Sequence, residues 1–265
     1  MTEEYIKLRK KYNLIYHNTI NDGIMYKYCS FETLKLIIEN QNLFYSTALD
    51  FNDPFELPTE QMEIYDDYTY IEKFVVNGSS EEVKEKILNN FKKDSFQFYK
   101  RNINSWNKMK EDFGISCFSK SPLINLMWSH YSDKHKGVCI GFNFNKYEQP
   151  LSPIQMPVRY IKSLETYDYL NMLNENIGDI FMYNWLLTKS SVWNYEKEIR
   201  QILVYSKGLQ PINIKSIEQI YLGLKFDKTQ LKELEELLKN NNLEHTKIID
   251  TKIDPSTFSI KTNCT

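Results

Sequence analysis

At 265 residues, with 42% apolar and 26% charged side chains, the chain is long enough to bury one large globular core. Its net charge of −2 creates no overall field to recruit nucleic acid or an anionic membrane. No run of about 18 apolar residues occurs, and the acidic start Met1-Thr2-Glu3-Glu4 lacks signal-peptide character, so a cytoplasmic protein with no membrane partner is expected.

Residues 1–22 read as a short polar helix and a connection. Met25 to Cys29 reads as a strand, and Ser30 caps a helix from Phe31 to about Asn40, with Leu34, Leu36, Ile37 and Ile38 as its apolar stripe. Leu43 to Ser46 is a second strand. The Asn52-Asp53-Pro54-Phe55-Glu56 stretch has turn chemistry. From about 59 to 112 strand signals vanish and charged helical periodicity takes over, as in a helical insertion after the second strand. Within it, residues 81–110 hold eight Lys/Arg against four Asp/Glu, interleaved with Phe91, Phe96, Phe98, Tyr99 and Trp106. Such a mixture suits single-stranded nucleic acid; the plainer reading is an amphipathic helical pair with lysines facing water.

Phe113 to Ser119 and His135 to Phe142 read as buried strands, with Asn125 to Tyr131 helical between them. Ser129 and His130 are adjacent on that helix and diverge by about 100°, which argues against a nucleophile–base pair. Three prolines between 150 and 157 mark a loop or edge, Val158 to Ile161 a short strand, and 163–192 a helical stretch. From Trp193 to Val204 the residues alternate, placing Glu196, Glu198 and Arg200 on one face of a strand. Ile217 to Gly223 is a further strand, 227–241 an amphipathic helix, and Lys247 to Ile253 a last strand. The pattern is α+β: one domain over 1–265 with a mixed, mostly antiparallel sheet carrying helices. Cys29, Cys117, Cys139 and Cys264, with His17, His130, His135 and His245, fit no metal-ligand spacing, and no metal is expected.

Several stretches recur as a set: Tyr26-Lys27-Tyr28, Asn52-Asp53-Pro54-Phe55-Glu56, Cys117-Phe118-Ser119, Met127-Trp128-Ser129-His130-Tyr131, Gly137, and Trp193-x-Tyr195-Glu196-x-Glu198-x-Arg200. In this order they resemble a bacterial family of unknown function typified by NDPxE, CFS, MWxxY and WxYExExR. More distantly, the succession of elements is similar to ADP-ribosyltransferases. Tyr26 to Ser30 before a helix is similar to the first element of the DNA-modifying members, and Glu196-x-Glu198 resembles the ExE element of arginine-directed members. The chain departs from them in having Tyr26, Lys27 and Tyr28 where they carry Arg or His.

That resemblance implies an ADP-ribosyltransferase-like fold and NAD as substrate. Glu198 would be catalytic and Glu196 its orienting partner. Lys27 and Arg200 would meet the pyrophosphate, Trp128 and Tyr131 the nicotinamide, and Tyr26, Tyr28, Ser119 and His130 would complete the NAD site. The acceptor would be nucleic acid or protein, and the role that of a toxin or antiphage effector. The competing expectation is a non-catalytic protein- or nucleic-acid-binding module, in which the Glu/Arg face is a structural salt-bridge network.

Overall fold

The computed structural model describes residues 23–57, 62–63, 80–94, 104–105, 107–163, 167–168 and 185–262. Its strands are β1 (Met25–Cys29), β2 (Asn42–Tyr45), β3 (Met62–Glu63), β4 (Phe113–Ser119), β5 (Val138–Phe142), β6 (Ile154–Pro157), β7 (Arg159–Ile161), β8 (Tyr167–Asp168), β9 (Thr188–Ser190), β10 (Glu198–Val204), β11 (Gly208–Pro211), β12 (Ile217–Leu222), β13 (Lys247–Ile253) and β14 (Ile260–Thr262). The helices are α1 (Phe31–Asn40), α2 (Glu81–Lys93), α3 (Asn125–Tyr131) and α4 (Leu231–Asn240). The molecule is thus mixed α+β. The chain divides into two compact units, one of residues 1–16, 47–113 and 159–192, the other of 17–46, 114–158 and 193–265.

The second unit is built on an eight-stranded sheet in the order β14-β13-β12-β5-β1-β4-β10-β6. β1 runs antiparallel to β4 and β5, and β10 antiparallel to β6, while β12 and β13 pair in parallel. Strand alternation sorts this sheet into two faces. On one face Met25, Cys29, Phe118, Ile140, Phe142, Ile199 and Ile220 form the main core. Two helices cover it. α1 contributes Phe31, Leu34, Ile37 and Ile38, and α4 contributes Leu234, Leu237 and Leu238, both at the three-and-four spacing of an amphipathic helix. Ser30 caps α1 by accepting from the Thr33 amide at 3.1 Å, as expected. Leu36 of the expected stripe is exposed, and Phe31 takes its place in the core.

The opposite face carries Tyr28, Cys139 and Tyr221, packed with Met127, Trp128 and Ile260. Here α3 lies against β1. The proline-bearing β6 is an edge strand, where a missing amide hydrogen bond does little harm. β2 makes a separate two-stranded ladder with β11.

In the first unit β3 pairs in parallel with β8, and β7 with β9. Of the helical expectation over 163–192, residues 164–166 and 169–184 lie outside the described residues; the rest shows strand at Tyr167–Asp168 and Thr188–Ser190, with helix at 185–187. The register explains the second of these, because Thr188 sits opposite Arg159 and takes a 3.3 Å hydrogen bond from its guanidinium. Trp185, Leu186 and Leu187 are buried. Within the basic segment, α2 has Glu81 and Glu82 in its first turn, Lys92 and Lys93 in its last, and Phe91 buried. That charge order complements the helix dipole, as in an ordinary amphipathic helix. Phe96, Phe98, Tyr99, Lys100, Arg101 and Trp106 lie outside the described residues, as do residues 1–22 and Cys264.

Candidate active site

The sequence alternation from Trp193 to Val204 is interrupted. Ser191–Glu196 winds as a 3₁₀ helix and Lys197 takes a left-handed conformation with φ of 48°. β10 begins only at Glu198. The turn is held from outside its own segment: the Lys120 amide donates to the Lys197 carbonyl at 3.0 Å, and the Ser119 hydroxyl to the Glu196 carbonyl at 2.7 Å. Glu198 and Arg200 consequently share a strand face, while Glu196 leaves the alternation.

Glu198 and Arg200 form a two-pronged ion pair, with Nε to Oε1 at 2.8 Å and Nη2 to Oε2 at 3.4 Å. Both are buried, Arg200 completely. A guanidinium fork of this kind fixes the position and orientation of the carboxylate.

Glu196 has different surroundings. Its side chain is buried, and Oε1 accepts the Tyr131 hydroxyl at 2.7 Å. That tyrosine, half-buried, belongs to a cluster of rings with exposed His130 and half-buried Tyr195 and Trp193. The His130 ring lies 6.2 Å from that of Tyr131 and 6.5 Å from that of Tyr195, which is 6.0 Å from Trp193. The last turn of α3 and the 3₁₀ helix thus join one buried carboxylate, through Tyr131, to an aromatic cluster.

The other residues singled out from the sequence have defined places. Ser119 is buried and locks the turn below Glu196. Trp128 is wholly buried: its indole donates to the Pro122 carbonyl at 2.8 Å, Tyr28 meets its ring edge-on, and His135 stacks on it. Tyr28 donates to the Ser121 carbonyl and accepts from the Ile124 amide, so its hydroxyl positions the loop leading into α3. Tyr26 reaches Gln219. Lys27 stands on the other face of the sheet from Tyr26, Tyr28, Glu198 and Arg200, because β1 alternates. There it donates to the Ser116 hydroxyl and the Cys117 carbonyl at 3.1 and 3.2 Å and lies over the Phe118 ring. Burial pushes its ammonium below the ordinary lysine range, against the opposing pull of Cys117, Cys29 and the Glu198 carboxylate.

The cysteines behave as small buried hydrophobes. Burial pushes Cys29 up to about 12 and raises Cys117 and Cys139 well above the usual thiol value, so each stays protonated and poorly nucleophilic. Ser129 pairs with His135 rather than His130, at 2.9 Å from Nε2. The Ser129 hydroxyl donates to the Asn125 carbonyl at 3.2 Å, so its proton is directed away from the imidazole and the pair is not set up as an activated nucleophile.

In the first unit, sequence reasoning missed one cluster. Glu56 and Lys189 form a buried ion pair at 2.9 Å. Nearby in sequence, Asp53 is also buried; Oδ1 caps the turn by accepting from the Phe55 amide, and Oδ2 has no hydrogen bond among the described residues. The acidic positions of the Asn52–Glu56 turn were the only available signal, and nothing local announced Lys189.

Comparison with known proteins places part of this region in context. The model of a protein family of unknown function (DUF2971) matches residues 127–201, a stretch that takes in most of α3, all of β5 and the Trp193–Arg200 segment. This match supports an uncharacterised family. No curated protein and no solved structure matches the chain. Among the described residues no helix is long and apolar enough to cross a membrane, and no group of three His, Cys, Asp or Glu is placed to hold a metal ion.

Proposed function

We propose that the chain is an ADP-ribosyltransferase-like enzyme that cleaves the nicotinamide–ribose bond of NAD, with Glu196 as the acting carboxylate. The observation carrying this reading is the buried Glu196 side chain, oriented at 2.7 Å by Tyr131, a member of an aromatic cluster with His130, Tyr195 and Trp193. A planar nicotinamide stacks on such rings. As the C1′–N bond breaks, its electron pair leaves with nicotinamide and the ribose becomes oxocarbenium-like. A preorganised carboxylate stabilises that charge most at the transition state. The acceptor nucleophile then bonds to C1′ and releases its proton. A nucleic-acid or protein acceptor fits a toxin or antiphage role.

The roles suggested by sequence spacing are thereby exchanged. Glu198 is held in its fork with Arg200, which suits a supporting part, whereas Glu196 is bonded to Tyr131 of the aromatic cluster. The test is nicotinamide release from NAD by the purified protein and by Glu196→Gln. The variant keeps a Tyr131 acceptor and should melt normally, with at least about a hundredfold less release, the scale of one lost transition-state contact. No release by the unaltered protein, or undiminished release by a folded variant, rejects the reading. The Glu198–Arg200 fork favours the alternative in that event: a non-catalytic protein- or nucleic-acid-binding module with a structural ion pair.

A further inference from the structure

We infer that the chain carries a second ligand site, for a neutral nucleoside, in the cavity floored by Gln201 and Gln155. The two glutamines sit directly opposite one another in the antiparallel pair of β10 and β6. Both line a cavity of about 380 Å³, within the range of small-molecule sites. Gln201 is 1% exposed, and its carbonyl accepts the buried Tyr45 hydroxyl at 2.6 Å. That is its one side-chain hydrogen bond among the described residues, which leaves its amide hydrogens to the cavity. The Gln155 side chain, half-buried beside it, adds a second amide with both donor and acceptor capacity. A polar group so deeply placed is costly without a partner. A ligand edge with adjacent donor and acceptor atoms supplies one.

The walls narrow the choice. Phe144 is fixed by stacking on Phe142 at 5.0 Å, and with Ile212 and Pro211 it offers an apolar side to a planar ring. Among the described lining residues Glu148 alone is charged, and it is exposed. With no lysine or arginine among them, nothing offsets the charge of a phosphate placed beside that carboxylate. A nucleobase on a neutral sugar meets these conditions. Gln201 projects from the sheet face opposite Glu198 and Arg200, so this site does not depend on the NAD-cleaving reading.

Calorimetric titration of the full chain with adenosine, guanosine, cytidine and uridine, each beside its 5′-monophosphate, tests the inference. At least one nucleoside should saturate, with its monophosphate at least about fivefold weaker through repulsion by Glu148. Gln201→Leu should weaken binding at least about tenfold, the scale of one hydrogen bond to a buried amide. Ser152→Trp, at an exposed lining position, should block the cavity without touching the core, and decides the matter if Gln201→Leu unfolds. Absence of saturation by every nucleoside at millimolar concentration, binding unchanged in the folded variants, or tighter binding of the monophosphate overturns it.

Discussion

Lys27 is a cation placed where a strand would ordinarily put an aliphatic residue. It stands in register with Ile140, on the face that buries Met25 and Cys29. Burial outweighs the opposing electrostatic pull of Cys117, Cys29 and Glu198, so its folded pKa falls below the ordinary 10.5. Between those two values the unfolded chain binds more protons than the folded one, and stability rises with pH across that window. Comparing urea midpoints of the natural protein and Lys27→Met at about pH 8 and about pH 10 isolates the effect. The difference, natural minus variant, should increase toward the alkaline value; a flat difference means that the ammonium is not desolvated. The same residue marks a limit of sequence reading. Tyr26-Lys27-Tyr28 looks like one polar motif on the page, but a period of two sends its middle member through the sheet, away from both tyrosines.

Individual elements were legible to the degree that their own residues determined them. The apolar runs of β4, β5 and β12 and the leucine spacing of α4 announced themselves, because each buries a face that only one period can bury. β11 did not, since Gly-Leu-Gln-Pro is poor strand chemistry and pairs only because β2 lies beside it. The 3₁₀ helix at Ser191–Glu196 was hidden for a related reason: its terminator, Lys197, adopts a positive φ without the glycine that would have advertised it. Its fastenings come from Ser119 and Lys120, far away in sequence. Candidate-site residues were visible as types, but the separation of Glu196 from Glu198 depends on those distant bonds. Gly137 illustrates the opposite case, a small residue whose meaning is local packing. A Cβ there would lie 2.2 Å from the Cys29 carbonyl oxygen and 2.8 Å from the Ser132 hydroxyl. Gly137→Ala must push the start of β5 off β1, and a loss of about 1–3 kcal/mol is expected, the usual cost of overpacking. Thermal melting measures it, and an unchanged midpoint would mean that the strands separate easily.

At the scale of the whole molecule, the long excursion between β2 and β4 leaves the second unit and rejoins it at neighbouring points. Ser46 and Ile115 exchange both backbone hydrogen bonds, at 3.0 and 2.8 Å. Replacing 47–113 by a short Gly/Ser linker should therefore preserve the eight-stranded sheet, since a few residues span paired strands. A cooperative denaturant transition with strand-type circular dichroism is the expected result; a gradual, non-cooperative loss of signal would mean that the sheet needs the excised residues. The position of β1 also bears on how the protein is made. It lies at the middle of the sheet, between β4 and β5. On the ribosome it emerges with α1 long before either flanking strand has been translated. Its unpaired backbone edges and the apolar side chains of Met25, Leu34 and Ile38 must wait in water for partners of which the first ends at Ser119 and the second at Phe142. Such distant pairings fold on the order of milliseconds to seconds, and the interval is one in which a chaperone that shields hydrophobic segments can raise the yield of folded protein.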